Sequence, residues 1–308
     1  MKILVIGSST TEMIFQAPVI PGKGETVMGT SFSMSPGGRG VNQAIAVARA
    51  GGEVVFLCRT GNDLFGEQVI DVLQQNNINT KNVIRDQKLA SGISSVIVDS
   101  EGNSGITITQ GANVNLSEKD LLHAQLAISP GDILLLQLDI PIETIRFAAD
   151  LARSSRARVI LNPAPALPVS DELLKSISIL TPNASQAEIL TGINITDERS
   201  AELAGRILLE RGLNRVIITL RSKGAMVIDN GGAEHVPGFE MSSVDTSVVS
   251  DVFNGSLVVA LSEGKNFYES VLFANAAASL SASRPGALSS IPAREDILEL
   301  VKTGKRVY

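Results

Sequence analysis

Short apolar runs rich in β-branched residues alternate along the chain with segments in which apolar residues recur every three or four positions. The runs that predict strands are KILVIG (2–7), VVFLC (54–58), DILLLQL (132–138), RVILN (158–162), ISILT (177–181) and RVIITL (215–220). The segments that predict helices are VNQAIAVARAGG (41–52), LFGEQVIDVLQQNNI (64–78), IETIRFAADLARSS (142–155) and SAELAGRILLERGL (200–213). Strands that are apolar throughout suit a sheet covered by helices on both faces. The alternation predicts right-handed βαβ units, and therefore an α/β fold built on an open, mostly parallel sheet.

Two segments break this alternation. Residues 9–36 and about 91–112 alternate polar and apolar positions with period two and contain the turn signals PGKGE and SEGNSG, a pattern typical of β-hairpins. Strands inserted at these points predict a small flap over the carboxyl edge of the sheet, where ligands of open α/β sheets bind. Since no internal repeat or low-complexity linker interrupts the sequence, we expect one domain over residues 1–308 with this flap as a lid.

Composition and charge narrow the class of protein further. The 308 residues, of which 44% are hydrophobic, suffice for a large α/β domain with a substantial core. The net charge is −6 and the charged residues are interspersed along the chain, which disfavours nucleic-acid and membrane-surface partners. No apolar run approaches the ~20 residues that span a bilayer, and MKILVIG is too short for a signal-peptide core. We therefore expect a cytoplasmic protein whose lone cysteine, Cys58, lies in the core.

A glycine-rich loop precedes the first predicted helix, in the stretch PGGRGVNQAIAVARAGG (36–52). Its glycines, Gly38 among them, allow a tight loop whose backbone can approach a ligand and which opens straight into a helix. Arg39 and Asn42 are polar groups that such a loop would direct at hydroxyls or at an anion. Many loop-to-helix junctions share this pattern, so the loop alone does not indicate a function.

A second candidate lies in VDTSVVSDVFNGSL (244–257), where Asp251 begins an apolar helix. A carboxylate at a helix N-terminus could act as a catalytic base, but an ordinary N-cap would explain an Asp here equally well. Only the combination of this segment with others along the chain distinguishes the two interpretations.

That combination resembles the ribokinase (PfkB-type) family of carbohydrate kinases almost from end to end. The matching motifs, in order, are GS after the first strand, PGKGET, GGRGVNQAIAVARAGG (37–52), QGAN (110–113), NPAPA (162–166), TPN with a following LTG (181–192), VDT with FNGSL (244–257) and SRPGALSSIP (283–292). The resemblance implies a doubly wound parallel sheet with a small β-sheet lid, which in this family often forms a homodimer contact. It also implies ATP-dependent phosphorylation of a small sugar, a ribose-like pentose or related furanose, at a primary hydroxyl. The implied cofactors are ATP and Mg²⁺, with K⁺ in many members.

The resemblance assigns roles to individual positions. Asp251 corresponds to the catalytic base, which takes the proton from the hydroxyl that attacks the γ-phosphate. The positions it places at the sugar are Glu12, Gly38, Arg39, Asn42 and Asp139. The positions it places at the nucleotide and its Mg²⁺ are Asn183, Thr219, Arg221, Gly224 and Asn275. Asp245, together with the loop 283–290, would border a monovalent-cation site.

The chain departs from the family pattern most strongly just before Asp251. Val248, Val249 and Ser250 stand where the family has Gly-Ala-Gly, whose backbone amides form an anion hole for the transferred phosphoryl group. Because valine disfavours positive φ and its branches would occupy space near the phosphate, we expect a degenerate anion hole. The loss of one such donor typically costs ~10²–10³ in rate.

Other departures fall mainly on the nucleotide side. Arg221 replaces a glycine, and it could pair with a phosphate or fill the nucleotide slot. Gln186 replaces a glutamate, which removes a charge that attracts hydrated Mg²⁺. On the sugar side, Glu12 replaces an aspartate and Arg39 replaces a lysine, so the hydrogen-bonding groups persist in altered form.

Two hypotheses follow from this pattern. The first is an ATP-dependent sugar kinase with Asp251 as the base. The second is a non-catalytic homologue, a pseudokinase, that keeps a sugar- or metabolite-binding cleft and has lost efficient phosphoryl transfer. The residues that discriminate between them are Val248 to Ser250 and Arg221.

Overall fold

The computed structural model describes residues 1–124 and 126–308. The strands are β1 (Ile3–Ile6), β2 (Thr10–Gln16), β3 (Ser31–Gly37), β4 (Val54–Gly61), β5 (Val83–Asp86), β6 (Gly92–Val98), β7 (Ser104–Thr109), β8 (Ile133–Leu136), β9 (Arg158–Leu161), β10 (Ile179–Leu180), β11 (Arg215–Thr219), β12 (Ala225–Asp229), β13 (Gly232–Val236), β14 (Gly238–Phe239) and β15 (Arg306–Val307). The helices are α1 (Arg39–Arg49), α2 (Leu64–Gln75), α3 (Glu118–His123), α4 (Ile142–Ser154), α5 (Asp171–Leu174), α6 (Ala184–Thr191), α7 (Glu198–Glu210), α8 (Val249–Ser262), α9 (Phe267–Ala282), α10 (Ala287–Ser290) and α11 (Arg294–Thr303). Short 3₁₀ turns cover Gly111–Asn115 and Arg221–Lys223.

Nine strands form one large sheet in the order β13-β12-β11-β10-β9-β8-β1-β4-β5. Neighbouring strands from β11 to β5 run parallel, and only β12 and β13 at one edge are antiparallel. The predicted mostly parallel sheet is therefore confirmed, and each apolar run that predicted a strand contributes one. From β1 the sheet extends in one direction through β4 and β5 and in the other direction through β8 to β13. In doubly wound sheets the ligand binds in the crevice at the carboxyl ends of the strands where the strand order reverses, which here is next to β1.

Helices cover both faces of this sheet because its central strands are apolar on both sides. In β1, Ile3 and Val5 pack into one core layer with α1, α8 and α9, while Leu4 and Ile6 pack into the other with α4 and α7. Alternate side chains of a strand point to opposite faces, so a continuous apolar run supplies both layers at once. Along the described residues, no helix is both long and apolar enough to cross a membrane.

A second sheet of four strands has the order β3-β2-β6-β7. β2 pairs antiparallel with β3 and parallel with β6, and β6 pairs antiparallel with β7. Apart from Gly37 at the end of β3, all four strands lie within the ranges 9–36 and 91–112, and we refer to this second sheet as the lid sheet. Closure of the lid sheet over a ligand stays a prediction, as does the organisation of the chain as one domain. A further small antiparallel sheet consists of β14 and β15.

The packing of α8 on α1 brings distant parts of the chain together. Gly255 makes this close approach possible, because a Cβ at this position would lie 2.5 Å from the Cβ of Ala46 and 2.9 Å from the carbonyl oxygen of Gln43. Real Cβ atoms do not approach so closely, so the two helix backbones are in contact here. Asp251, about one turn earlier on α8, is thereby placed against the first turn of α1.

Candidate active site

The loop between β3 and α1 is shaped by two glycines. Gly38 has φ +96°, and a Cβ there would lie 2.7 Å from the backbone nitrogen of Thr10. A Cβ on Gly40 would lie 2.6 Å from the carbonyl carbon of Gly7, at the end of β1. Only glycine fits both positions without displacing backbone. The start of α1 therefore rests directly on the carboxyl edge of the large sheet, with Arg39 and Asn42 in its first turn.

Asp251 is buried at the start of α8, and amide groups hold both of its carboxylate oxygens. Asn42 Nδ2 donates to Oδ2 at 3.1 Å, and Gln43 Nε2 donates to Oδ1 at 2.9 Å. Burial raises the pKa of Asp251, while the charge of Arg39 and these two hydrogen bonds oppose that rise. The carboxyl group is thus a base of increased strength in a fixed orientation.

Two further carboxyl groups face Asp251. Burial raises the pKa of Asp139 to about 6, with the Asp251 charge adding to the rise and the Ser8 hydroxyl and Arg39 opposing it. The Ser8 hydroxyl donates to Asp139 Oδ2. Burial also raises the pKa of Glu12 on β2, and the charges of Asp251 and Asp245 contribute further. We refer to Glu12, Arg39, Asn42, Asp139 and Asp251 as the acidic cleft.

The acidic cleft presents unused hydrogen-bonding capacity. Two buried oxygens, Asn42 Oδ1 and Asp139 Oδ1, accept no hydrogen bond from the described residues. Arg39 forms no ion pair within 4.0 Å in the same part of the chain, although its charge acts on all three carboxyl groups. Buried polar atoms without partners are costly, which indicates that a polar ligand completes the site. Polyols are suitable ligands because each hydroxyl both donates and accepts.

A cavity of about 610 Å³ lies beside the first turn of α8, where Val249, Ser250 and Phe253 line it. The predicted nucleotide positions that line it are Asn183, Thr219, Arg221, Gly224 and Asn275. Phe239, Met241 and Phe253 contribute apolar surface, while Arg221 is the only charged residue among those that line it. The cavity therefore offers an apolar wall and one positive charge, and no carboxylate lines its described part.

Several of these lining residues also stabilise the local structure. The side chain of Asn183 caps α6 by accepting from Gln186 N at 2.8 Å, and Gln186 Oε1 in turn accepts from Asn183 N at 2.9 Å. Asn275 Nδ2 donates to the carbonyl oxygens of Val236 and Pro237 at 3.1 and 3.0 Å. Gln186 thus belongs to a reciprocal helix cap and is not among the residues that line the cavity. A glutamine makes this cap without the negative charge of the glutamate that the family has at this position.

The three residues from Val248 to Ser250 lie in different surroundings at the start of α8. Val248 has φ −118°, an ordinary value for valine, and its side chain is 2% exposed and packs in the core. Val248 thus has an ordinary backbone conformation and is not among the residues that line the cavity, and the degenerate anion hole stays a prediction. Val249 and Ser250 line the cavity, and no side chain caps the first turn of α8. The amides of this turn have no intrahelical acceptor and remain able to bind an anion.

Arg221 lies in the left-handed region, with φ +56°. The chain thus adopts here a conformation that glycine favours, although a long cationic side chain is present. Its side chain is exposed and lines the cavity. Gly224 closes the same loop, since its carbonyl oxygen accepts from Leu220 N at 2.7 Å and a Cβ there would lie 2.2 Å from the Val236 carbonyl oxygen.

Asp245 links two segments near the acidic cleft. Its Oδ1 accepts from Ser247 N at 2.9 Å, and its Oδ2 accepts from Gly286 N at 3.0 Å, in the loop 283–290. Within residues 1–124 and 126–308, no group of three or more His, Cys, Asp or Glu side chains is arranged to hold a metal ion. A monovalent-cation site bordered by Asp245 stays a prediction.

Sequence reasoning missed three buried amides behind Asp251. Gln43, Gln137 and Asn162 are linked by hydrogen bonds, and Gln43 contacts the carboxylate directly. Each lies in a segment quoted from the sequence above: Gln43 in VNQAIAVARAGG, Gln137 in DILLLQL and Asn162 in NPAPA. The available signal was a polar residue within an otherwise apolar strand or helix face, which usually requires a hydrogen-bonding partner.

The fold is a ribokinase-like α/β fold, with an acidic cleft and a cavity that Arg221 lines. A family model for pfkB family carbohydrate kinases matches residues 1–294. A ribokinase of Haemophilus influenzae is 37% identical over 97% of this chain and 97% of its own length. A ribokinase structure from Thermotoga maritima has a TM-score of 0.90 at 36% identity and covers 98% of this chain and 99% of that one.

An Arabidopsis thaliana ribokinase complexed with ribose and ATP also has a TM-score of 0.90, at 29% identity over 98% of this chain and 99% of that one. The chain belongs to the PfkB family of carbohydrate kinases.

Proposed function

We propose that this protein transfers the γ-phosphoryl group of ATP to a primary hydroxyl of ribose or a related furanose, with Asp251 as the general base. The observation that carries the proposal is the position of Asp251, which is buried in the acidic cleft in the uncapped first turn of α8, while its neighbours Val249, Ser250 and Phe253 line the cavity. Asp251 takes the hydroxyl proton as the sugar oxygen bonds to the γ-phosphorus. The bond from phosphorus to the β–γ bridging oxygen breaks, and ADP leaves.

The acidic cleft favours a neutral sugar over a phosphorylated one. Glu12, Asp139 and Asp251 carry three carboxyl groups, and Arg39 is the one cation that acts on all of them. Carboxylate oxygens accept hydrogen bonds from sugar hydroxyls, whereas a phosphate dianion would be repelled. We expect ribose or fructose to be a better substrate than fructose 6-phosphate, which keeps a free primary hydroxyl but adds charge.

The cavity supplies the groups that ATP requires. The first-turn amides of α8 are suited to the transferred phosphoryl group, and Phe239 and Phe253 provide apolar surface for a base. Mg²⁺ would enter bound to the ATP phosphates, where it neutralises charge, with Asn183 the nearest family position for supporting it. Of the two roles left open for Arg221, pairing with phosphate is favoured because it is the only charged residue among the described residues that line the cavity.

Two arginine variants test the role of Arg221. Arg221→Gly should raise the KM for MgATP severalfold, because a phosphate contact is lost, while the KM for the sugar changes little. Arg156→Gly is a matched control, since Arg156 also has positive φ, at +58°, and does not line the cavity. A lower KM for MgATP in Arg221→Gly alone would show instead that the side chain obstructs the nucleotide.

The decisive experiment for the function measures sugar-dependent ADP release with MgATP over a panel of pentoses and hexoses. Turnover that falls by ~10²-fold or more in Asp251→Asn, with sugar binding retained by calorimetry, supports the proposal. If no sugar is turned over while calorimetry still detects sugar binding, the non-catalytic alternative replaces it. The relatives described above carry kinase names and give that alternative no support.

The lid sheet is proposed as the contact of a homodimer. One face of it exposes large apolar side chains, Phe32 at 55%, Met34 at 39% and Phe15 at 37%, and exposed apolar groups clustered on one face of a small sheet favour association. Phe32→Asp should convert dimer to monomer in light scattering coupled to gel filtration. Leu64→Asp is the control, because Leu64 is 63% exposed at the start of α2, outside the lid sheet. A wild-type monomer at micromolar concentration would contradict this proposal.

A further inference from the structure

Gln43 lies behind the carboxylate of Asp251 and uses its whole amide group in hydrogen bonds. Its Nε2 donates to Asp251 Oδ1 at 2.9 Å and to Asn162 Oδ1 at 3.3 Å. Its Oε1 accepts from Gln137 Nε2 at 2.6 Å. Gln43 and Gln137 are 0% exposed and Asn162 is 1% exposed, so water does not substitute for these bonds.

One orientation of each amide in this group matches every donor to an acceptor. Asp251 can only accept when it is ionised, which orients the Gln43 amide so that its nitrogen points to the carboxylate. The Gln43 oxygen then requires a donor, which Gln137 supplies, and Asn162 in turn donates to the carbonyl oxygen of Thr181 at 3.2 Å. The orientation of each amide thus follows from the charge on Asp251, and the set is arranged to receive a carboxylate.

We propose that Gln43 is a positioning residue for phosphoryl transfer, which fixes the carboxylate of Asp251 and keeps it ionised within the buried site. This inference rests on the proposed function. Gln43 is fully buried and is not among the residues that line the cavity. It therefore acts through Asp251, whereas Asn42, which also bonds Asp251, keeps a free oxygen in the acidic cleft.

The electrostatic surroundings explain why a neutral donor is needed at this place. Burial raises the pKa of Asp251, and the neighbouring carboxyl groups, Glu12 on β2 and Asp139 after β8, face it as well. Arg39 on α1 is the cation that acts against them, and the hydrogen bond from Gln43 is among the causes that lower the pKa. A base that became protonated near neutral pH would no longer accept the proton of the sugar hydroxyl.

The test compares pH profiles of kcat/KM in two variants that each lose one buried amide. Gln43→Met removes the donor to Asp251 and should move the acidic limb of the profile to higher pH by about one unit, the effect of losing one hydrogen bond to a charged group. The rate should recover at high pH, and the KM for the sugar should stay within about threefold. Gln137→Met is the matched control, because it removes a bond to Gln43 and leaves the donor to Asp251 in place. Its limb should move less than half as far.

A second variant covers the case in which Gln43→Met does not fold. Gln43→Glu keeps the size of the side chain and places a carboxyl group at the 2.9 Å contact, so that the two carboxyl groups titrate as a coupled pair and the limb splits into two steps, of which the upper one lies above the limb of the natural protein. The Gln43 variants are also measured in the Glu12→Gln and Asp139→Asn backgrounds. A shift that persists in both assigns the limb to Asp251, while a shift that disappears in either assigns it to that carboxyl group and overturns the inference.

The outcomes separate this inference from the proposed function. If Asp251→Asn retains full activity, the proposed function fails. If Asp251→Asn is inactive and the Gln43 variants lose activity without any movement of the limb, the function stands and Gln43 has a structural role only.

Discussion

Replacing Val248 by glycine tests whether the residues before Asp251 impair the anion hole or belong to the core. By the family pattern alone, Val248→Gly should restore a donor and raise kcat by ~10²-fold or more. The structure instead predicts that Val248→Gly keeps kcat within about threefold of the natural protein, because the backbone amides of the first turn of α8 are present with either side chain. The same change should destabilise the protein, since the valine side chain is 2% exposed and packs in the core.

The loss of stability follows from the buried side chain. Removing a fully buried valine costs about 1.5–3 kcal/mol in transfer free energy. Glycine is an acceptable N-cap, so the backbone adds only a few tenths of a kcal/mol. A net loss of about 2–3 kcal/mol corresponds to a fall in Tm of roughly 4–10 °C for a chain of this size, since the shift per kcal/mol decreases with length.

Urea unfolding and calorimetry measure the stability, and the ADP-release assay at 25 °C measures kcat. Val244→Gly is the matched control, because it makes the same substitution at a residue that is 62% exposed four positions earlier. If Val248→Gly is as stable as Val244→Gly, the side chain does not lie in the core. If its kcat rises a hundredfold, the anion hole of the natural chain is impaired.

Three further predictions follow from the site. Gly255→Ala should cost about 1–3 kcal/mol and lower kcat, because the new Cβ would meet Ala46 at 2.5 Å and push Asp251 away from α1; an unchanged Tm would contradict the close helix contact. Burial raises the pKa of Asp139 from 3.8 to about 6, so the native state holds a proton between these values that the unfolded chain has released. Asp139 should therefore lower stability by on the order of 3 kcal/mol as pH rises from about 4 to 7, and Asp139→Asn should remove this part of the fall and leave the part that belongs to Glu12 and Asp251; parallel curves of stability against pH for the two proteins would refute it. K⁺ in place of tetramethylammonium should raise kcat severalfold, with a weaker response in Asp245→Asn; equal rates with both cations would argue against a monovalent-cation site.

Much of the fold was predictable because its signals are local. The apolar runs that form β1, β4, β8, β9 and β11 are continuous, and only a sheet covered on both faces can bury them. The lid sheet was predictable from period-two alternation. The antiparallel edge strands β12 and β13 were not singled out, because their short runs lie among polar turns and give a weaker pattern.

The candidate site was predictable as a set of positions but not as a set of contacts. The motif order identified Asp251, Asn42 and Asp139, which face one another in the structure. The same pattern suggested that Val248 would crowd a phosphate, and it gave no sign that Gln43 contacts Asp251. The direction of a side chain at a helix start depends on what packs around it, and this is not recorded in the local sequence.

The sequence by itself determined the strand and helix order, the glycines that allow close backbone contact, and the family. Tertiary structure alone decided that Val248 turns into the core, that Arg221 adopts φ +56° at the cavity, and that Gln43 reaches Asp251 across 208 residues of chain. The physical reason is that periodicity and turn chemistry act between near neighbours, whereas these three features arise where α1, α8 and the β11–β12 connection pack against other parts of the fold.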